Sequence, residues 1–513
     1  MADTIAAIAT GGVISAIGVI RISGDDAIRI ADKVFRSKRA AGESAARESA
    51  AGERTWLQYT ASPGSEQNSV QNSAQNSAQN SVQNSVQSAP QSSGLGKAQN
   101  RRMYYGELTG TDGGLLDLCL CTVSRAPESY TGEDTVEFHC HGSPVVLSEI
   151  LSTLFHHGAR QAGPGEFTKR AFLNGRMDLT QAEAVIDLIE AETSAAARNA
   201  AGQLRGAVGT RLEAIYSDLL DVMAHFHAAI DYPDEDIDEF EMQVYLYLLR
   251  DAGDALAFML STHERGRVLR EGVPTAIIGR PNTGKSSLLN ALLGYNRAIV
   301  TEVAGTTRDT IEEKIVVGNI VLRLIDTAGL RKTEDEVEIQ GVERTRDAIR
   351  RSGLALLVLD GAEPLKNDDN EILRMMSSPG ISNRIRVLIV VNKSDLPSAF
   401  DDSVIDAFGF TVCRISALTG KGLDKLEEEI RNVLPDITAP PDGELISNAR
   451  QADAISRARD AINRAVGAIN ASVTPDAVLT EVEAALAAIG ETTGRTIRED
   501  ITDRIFERFC VGK

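Results

Sequence analysis

The stretch Gly279-Arg280-Pro281-Asn282-Thr283-Gly284-Lys285-Ser286-Ser287 constrains this chain more than any other, because it fits G-x-x-x-x-G-K-[ST] in a context that gives the spacing a mechanism. An apolar run, Thr275-Ala276-Ile277-Ile278, precedes it and reads as a buried strand, while Leu288, Leu289, Ala291 and Leu292 follow at helical spacing. Strand, glycine loop and helix make a phosphate-binding loop: backbone N–H groups turn inward around phosphate oxygens, and the helix N-terminus adds partial positive charge. Asn282, Thr283, Gly284, Lys285, Ser286 and Ser287 are the predicted contacts. Lys285 reaches the β- and γ-phosphates, and the Ser286 hydroxyl binds Mg²⁺. A glycine-rich turn that merely closes a strand–helix junction is the bland alternative. The residues downstream answer it.

Asp326-Thr327-Ala328-Gly329 ends a second apolar run, Ile320–Ile325. A carboxylate there holds Mg²⁺ through water, and the Gly329 N–H senses a γ-phosphate. Asn392-Lys393-Ser394-Asp395 ends a third run, Val387–Val391. The Asp395 carboxylate accepts from guanine N1–H and the 2-amino group. Adenine offers neither donor, so the base is guanine. Ser416, Ala417 and Leu418 support the same base through backbone N–H groups. These elements, in this order, specify a GTPase domain.

Ras-type enzymes place a water-orienting glutamine after Asp-x-x-Gly. Here that position is Leu330, which has no hydrogen-bonding group. Glu338, in the charged run Arg331–Glu338, is the candidate replacement, with a merely solvated run as the competing reading. Thr301-Glu302-Val303-Ala304-Gly305-Thr306-Thr307, before Arg308, forms a first switch, with Thr307 on Mg²⁺. Backbone carbonyls of that switch and the Asn282 side chain form an oxygen cage for a monovalent cation, at the place where an arginine finger acts.

A chain of 513 residues suggests roughly three domains. Its net charge of −20 argues against broad adhesion to nucleic acid or anionic membrane, while leaving room for a local basic patch. The five cysteines show no paired metal spacing and fit a reducing cytoplasm. The N-terminus lacks a basic region before its apolar residues, so neither signal peptide nor membrane span is expected. The end, Cys510-Val511-Gly512-Lys513, is a poor prenylation box.

The organisation expected is an N-terminal α/β domain over 1–178, a helical segment over 179–271, the GTPase domain over 272–437 and a second helical segment over 438–513. Within the first domain, Gln67–Gln87 repeats Gln-Asn-Ser-Val/Ala. Such a tract has too little apolar surface to fold, so about 62–100 reads as a disordered insert whose flanks lie close together. His139 and His141 are spaced like metal ligands but have no third partner in sequence. Thr180-Gln181-Ala182-Glu183 has capping-box form. A helix over roughly 238–270 follows the acidic turn Asp234-Glu235-Asp236. Two thin helical arms flanking an α/β module suggest one discontinuous bundle with the GTPase inserted.

The chain resembles the MnmE (TrmE) family over nearly its whole length apart from the repeat. The resemblance is carried by Gly18–Gly24, Tyr130-Thr131-Gly132-Glu133-Asp134, Pro164–Leu179, Gly279–Ser287, Gly305–Asp309, Asp326–Arg331 and Phe509–Lys513. It implies a GTPase of tRNA wobble-uridine (U34) C5 modification that adds a carboxymethylaminomethyl-type group together with the flavoprotein MnmG (GidA), as a heterotetramer. It also implies an N-terminal domain that dimerises and binds 5,10-methylene- or 5-formyl-tetrahydrofolate through Arg21, Glu137, Arg176 and Lys513. K⁺, held by Asn282, Thr301, Val303 and Thr306, would pair the G domains across the homodimer. Glu338 aligns with a water-organising glutamate, and Cys510 is a nucleophile candidate. The chain departs from the family at Gly11–Ala16 and in carrying Arg176 where lysine is frequent. An Era-like ribosome-assembly switch without modification activity, or a slowly hydrolysing adaptor, would share the GTPase motifs but not the N-terminal ones.

Overall fold

The computed structural model describes residues 3–11, 13–38, 94–231, 239–295, 313–325, 341–382, 384–399, 402–435, 443–496, 499–507 and 509–512. Two compact units result, Met1–Arg176 with Asp503–Lys513 and Met177–Thr502.

The first unit is built on a seven-stranded sheet. Its strands are β1 (Ile5–Ile8), β2 (Ser15–Ser23), β3 (Phe35–Ser37), β4 (Met103–Thr109), β5 (Leu115–Ser124), β6 (Thr135–Gly142) and β7 (Arg160–Gln161), in the order β3-β4-β5-β6-β2-β1-β7. Only β1 and β7 run parallel. The two helices Ala27–Val34 and Pro144–His156 cover one face, burying Ile30, Val34, Ile150 and Leu154 against Ile20, Ile22, Val123 and Phe138. This is a layered antiparallel sheet rather than the α/β arrangement expected, because hairpins, not helical crossovers, join β4, β5 and β6. Alternation along β5 buries Cys119, Cys121 and Val123 and turns Leu120 outward. Among the described residues, the other face carries Ile17, Tyr105 and Leu120 at 39–60% exposure. Before the repeat, the Lys38 amide donates to Tyr105 O (2.9 Å), and after it the Leu95 amide donates to Asp32 Oδ1 (2.5 Å).

The C-terminal residues Asp503–Lys513 pack with this unit. Val511 bridges to Pro164, the Gly165 amide donates to Cys510 O (3.3 Å), and the Phe506 ring lies tilted against those of Phe172 (6.4 Å) and Phe509 (5.2 Å). Gly512 has φ +100, and a Cβ there would lie 2.2 Å from Ile8 O, so only glycine lets the tail lie across the end of β1.

In the second unit, β8 (Val273–Ile278), β9 (Glu313–Val317), β10 (Ile320–Ile325), β11 (Leu354–Asp360), β12 (Arg386–Asn392) and β13 (Thr411–Arg414) form a sheet in the order β13-β12-β11-β8-β10-β9. All pairs are parallel except β9 with β10. Every residue of β11 is buried, as a parallel strand covered on both faces requires. Leu288, Leu292, Leu426 and Ile430 pack on one face, Ile349, Leu373 and Met376 on the other.

The helices Ala207–Asp231, Glu239–Ser261, Ala449–Asn470 and Pro475–Thr493 come from both sides of this module and share one core of Leu212, Leu219, Leu249, Leu256, Ile455, Ile462, Val482 and Ile489. Two local expectations change. The helix Leu179–Ile189 is capped by Asp178, whose Oδ1 accepts from the Gln181 amide (2.8 Å) while Gln181 Oε1 accepts from the Asp178 amide (2.9 Å). Glu183 is thereby freed from the cap and forms a buried pair with Arg450 (2.9 Å). The long helix after residue 238 breaks at Thr262, whose hydroxyl donates to Met259 O and accepts from the Ile446 amide (3.1 Å) of the returning arm. The acidic turn Asp234–Asp236 lies outside the described residues.

Candidate functional site

The phosphate-binding loop leaves β8 at Gly279 and enters the helix Lys285–Tyr295. Gly279 (φ +145) and Gly284 (φ +93) take left-handed values, and a Cβ on them would lie 2.3 Å from Val358 O and 2.1 Å from Asn392 Nδ2. No side chain fits at either position. Asn282 is also left-handed, at φ +66. The Thr283 hydroxyl donates to Arg280 O (3.0 Å), and Lys285 Nζ donates to the same carbonyl (2.6 Å). Burial, reinforced by the Arg280 charge, pushes the Lys285 ammonium down to about 8.

A second fastening was not legible in sequence. Arg280 Nε donates to Asp369 Oδ2 (2.7 Å), and Asp369 is almost wholly buried at the start of the helix Asn367–Met376. Its Oδ2 also accepts from the Lys366 amide (3.0 Å). The one available hint was the acidic first turn of that helix, which as a pattern is ordinary.

Asn392, at the end of β12, stands beside the loop. Asn392 Nδ2 donates to Thr283 O (3.0 Å), and Asn392 Oδ1 accepts from the Ala417 amide (3.0 Å). A single buried amide thus ties the phosphate loop to the loop 416–418. Ala417 uses its N–H on Asn392, and Leu418 beside it is 85% exposed. Lys393 Nζ donates to Asp360 Oδ2 (2.5 Å). Asp395 faces solvent, and a hydrogen bond from the Ser416 hydroxyl holds its carboxyl below the usual range. It stays an acceptor at neutral pH. Thr301, Glu302, Val303, Ala304, Gly305, Thr306, Thr307, Asp326, Thr327, Ala328, Gly329 and Glu338 lie outside the described residues.

A separate constellation forms in the first unit. Arg21 on β2 pairs with Glu137 on β6 (2.7 Å), its cross-strand partner, and its guanidinium lies 5.0 Å from the Tyr130 ring centre and 5.5 Å from that of Phe167. Aromatic faces on a paired cation hold its orientation. The loop 130–133 is fixed from beneath: Ser23 contacts Thr131 and donates to Glu133 (both 2.7 Å), and Arg170 donates to Glu133 (3.1 Å). Asn174 Nδ2 donates to Thr131 O (2.7 Å). A Cβ on Gly132 (φ +78) would sit 3.3 Å from the Arg176 stem, so Arg176 runs along this loop. Glu166, though half-buried, is held down at about 2 by Arg160, the Gly163 amide and Arg170. The part of the Pro164–Leu179 stretch up to Arg176 therefore builds the wall of this constellation. Cys510 is exposed beside Gly165, and Lys513 lies outside the described residues. Among the described residues His139 Nε2 is buried without a hydrogen-bond partner, 3.8 Å from Glu137 Oε2. His141 Nδ1 lies 2.7 Å from Asp117 Oδ1.

Comparison with known proteins adds the family. A family profile described as the MnmE helical domain matches residues 179–510, and one described as GTP-binding protein TrmE N-terminus matches residues 69–176. The tRNA modification GTPase MnmE of Natranaerobius thermophilus is 42% identical over 422 residues, covering 82% of this chain and 91% of its own. That of Alkaliphilus metalliredigens is 39% identical over 515 residues, covering 100% and 99%. The G domain of the T. maritima FeoB iron transporter aligns with 31% of this chain at 23% identity and a TM-score of 0.23, too slight a likeness to carry weight. With nucleotide-loop geometry, N-terminal motifs and relatives all in agreement, the chain belongs to the MnmE (TrmE) family of tRNA modification GTPases.

Proposed function

We propose that this chain hydrolyses GTP to drive modification of wobble uridine C5 in tRNA, with a flavoprotein partner and a folate-borne one-carbon unit. The observation that carries the reading is the Asn392 bridge. One side chain joins the phosphate loop to the loop 416–418, which supports reading a guanine nucleotide at base and phosphates together. Asp395 accepts from N1–H and the 2-amino group, the Leu418 amide donates to O6, and Lys285 takes the β- and γ-phosphates. Ser286 and Thr307 would hold Mg²⁺, which supplies charge neutralisation between those phosphates. Glu338 orients the attacking water. Asn282 with Thr301, Val303 and Thr306 would hold K⁺ at the junction of two G domains of a homodimer.

Arg21, Glu137, Arg176 and Lys513 are the folate contacts in this proposal. A pterin presents adjacent N–H donors and a carbonyl, which suit a carboxylate and a guanidinium side by side. The unpartnered His139 Nε2 next to Glu137 is a further polar atom that such a ring satisfies. Cys510 is exposed and its reactivity is tested separately by Cys510→Ser.

The test has two readings. GTP turnover by the purified chain in K⁺ and in Na⁺ is expected to be much faster in K⁺. Cells lacking the gene are expected to accumulate unmodified wobble uridine, restored by the wild-type chain and not by Glu338→Ala. Normal uridines in the deletion strain would refute the modification reading and favour a switch that acts elsewhere.

A further inference from the structure

At the end of the GTPase sheet remote from the nucleotide loops lies a cavity of about 290 Å³. It opens where β8, β11 and β12 begin, at Val273, Gly353 and Arg386, and the helix His263–Glu271 forms its rim. The strands separate it from the phosphate loop by about 20 Å. Four arginines line it, Arg267, Arg351, Arg384 and Arg386, against one carboxylate, Glu264. On a chain of net charge −20, that is a local reversal of sign.

Structural duties explain part of this cluster. Arg351 ends the helix Gly341–Arg351, where a cation offsets the helix dipole, and its Nε donates to Asp347 O. Arg267 has Glu271 at 4.0 Å, a weak pair. Arg384 and Arg386 have no such duty. Both are exposed, neither pairs with a carboxylate among the described residues, and Arg386 opens a strand. Two guanidinium groups two residues apart line the same cavity, and planar multi-donor groups suit phosphate oxygens better than point charges do.

We propose that this cavity is a phosphate-contact site for the tRNA backbone, so that the RNA touches this chain directly and on the side of the G domain away from GTP. The inference rests on the tRNA-modifying reading above. Contacts of this kind position the RNA without reading sequence. Because the rim helix runs straight into β8 through Gly272, RNA held here also bears on the joint between helical arm and nucleotide module.

The test is binding of an unmodified tRNA transcript to the full chain, by fluorescence anisotropy across a salt titration. Arg384→Ala with Arg386→Ala is compared with Arg198→Ala plus Arg250→Ala, which removes the same charge from exposed helical positions away from the cavity. The first pair is expected to weaken binding on the order of ten-fold. It should also flatten the slope of log K against log salt by about one for each phosphate that is no longer neutralised. Arg384→Lys with Arg386→Lys should restore most of the slope and less of the affinity. GTP hydrolysis without RNA should be unchanged in all of them. An unchanged slope in the alanine pair or an equal loss in the control pair would each overturn the site. Those results leave the modification reading intact, since that reading falls only on the wobble-uridine content of cells.

Discussion

Lys285 is the residue whose environment most directly sets a measurable property. Burial and Arg280 lower its ammonium to about 8, so the chain without nucleotide gives up that proton as pH rises through 8. Nucleotide phosphates require the charged form, and binding must then take the proton back up. GTP affinity is therefore expected to be flat below neutrality and to fall roughly four-fold between about pH 6.5 and 8.5. Lys285→Arg should abolish the dependence, whatever it does to affinity itself, as read by nucleotide titration across that range. Asp395 gives a sharper test of base reading. Asp395→Asn exchanges an acceptor for a donor and should cost GTP affinity on the order of 100-fold while improving that of xanthosine triphosphate. Equal loss of both nucleotides would mean the residue holds the loop and does not read the base. Lys285 and Asp395 were visible in the bare sequence because phosphate and guanine chemistry impose residue type and spacing together. Asp369 and the Asn392 bridge were not, since each joins stretches far apart in the chain through one side chain whose type is common everywhere.

Among the elements, the helix Leu179–Ile189 shows how a correct element can carry a misplaced signal. Thr180 and Glu183 have the spacing of a capping box, but so do Asp178 and Gln181, and the second pair takes the cap. Local pattern could not choose between registers two residues apart. The choice is made by Arg450, which arrives from the other arm and needs Glu183 for itself. Glu183→Ala leaves that guanidinium partly buried without its partner and is expected to destabilise the unit by about 3 kcal/mol. Asp178→Ala, which removes the cap and the acceptor of the Thr180 hydroxyl, should cost about 1–2 kcal/mol. Chemical denaturation of the two variants decides the ranking, and a larger loss at Asp178 would mean the Glu183–Arg450 pair is dispensable. The N-terminal sheet likewise had its strands legible by alternation, but its antiparallel order depended on pairings that alternation does not encode.

For the whole molecule, the governing relation is between the two helical arms. On the returning arm the Ile446 amide donates to Thr262, and its carbonyl lies 3.1 Å from His263 Nδ1. Gly266 packs so closely that a Cβ there would lie 2.3 Å from Ile446 O. The chain thus leaves for the nucleotide module and comes back at nearly one point. Replacing residues 273–442 by a short flexible linker is expected to leave a helical, cooperatively melting protein, because the bundle core is distinct from the core of the sheet. A chain with helical circular dichroism but no cooperative transition would contradict this. That one point of departure and return also sets the order of events during synthesis. The helices Ala207–Asp231 and Glu239–Ser261 leave the ribosome with their apolar faces ready, but their partners Pro475–Thr493 and Ala449–Asn470 are not made until the whole nucleotide module has been translated. At ordinary elongation rates those faces wait on the order of ten seconds or more, which makes the nascent chain, rather than the finished enzyme, the form of this protein most in need of protection from aggregation.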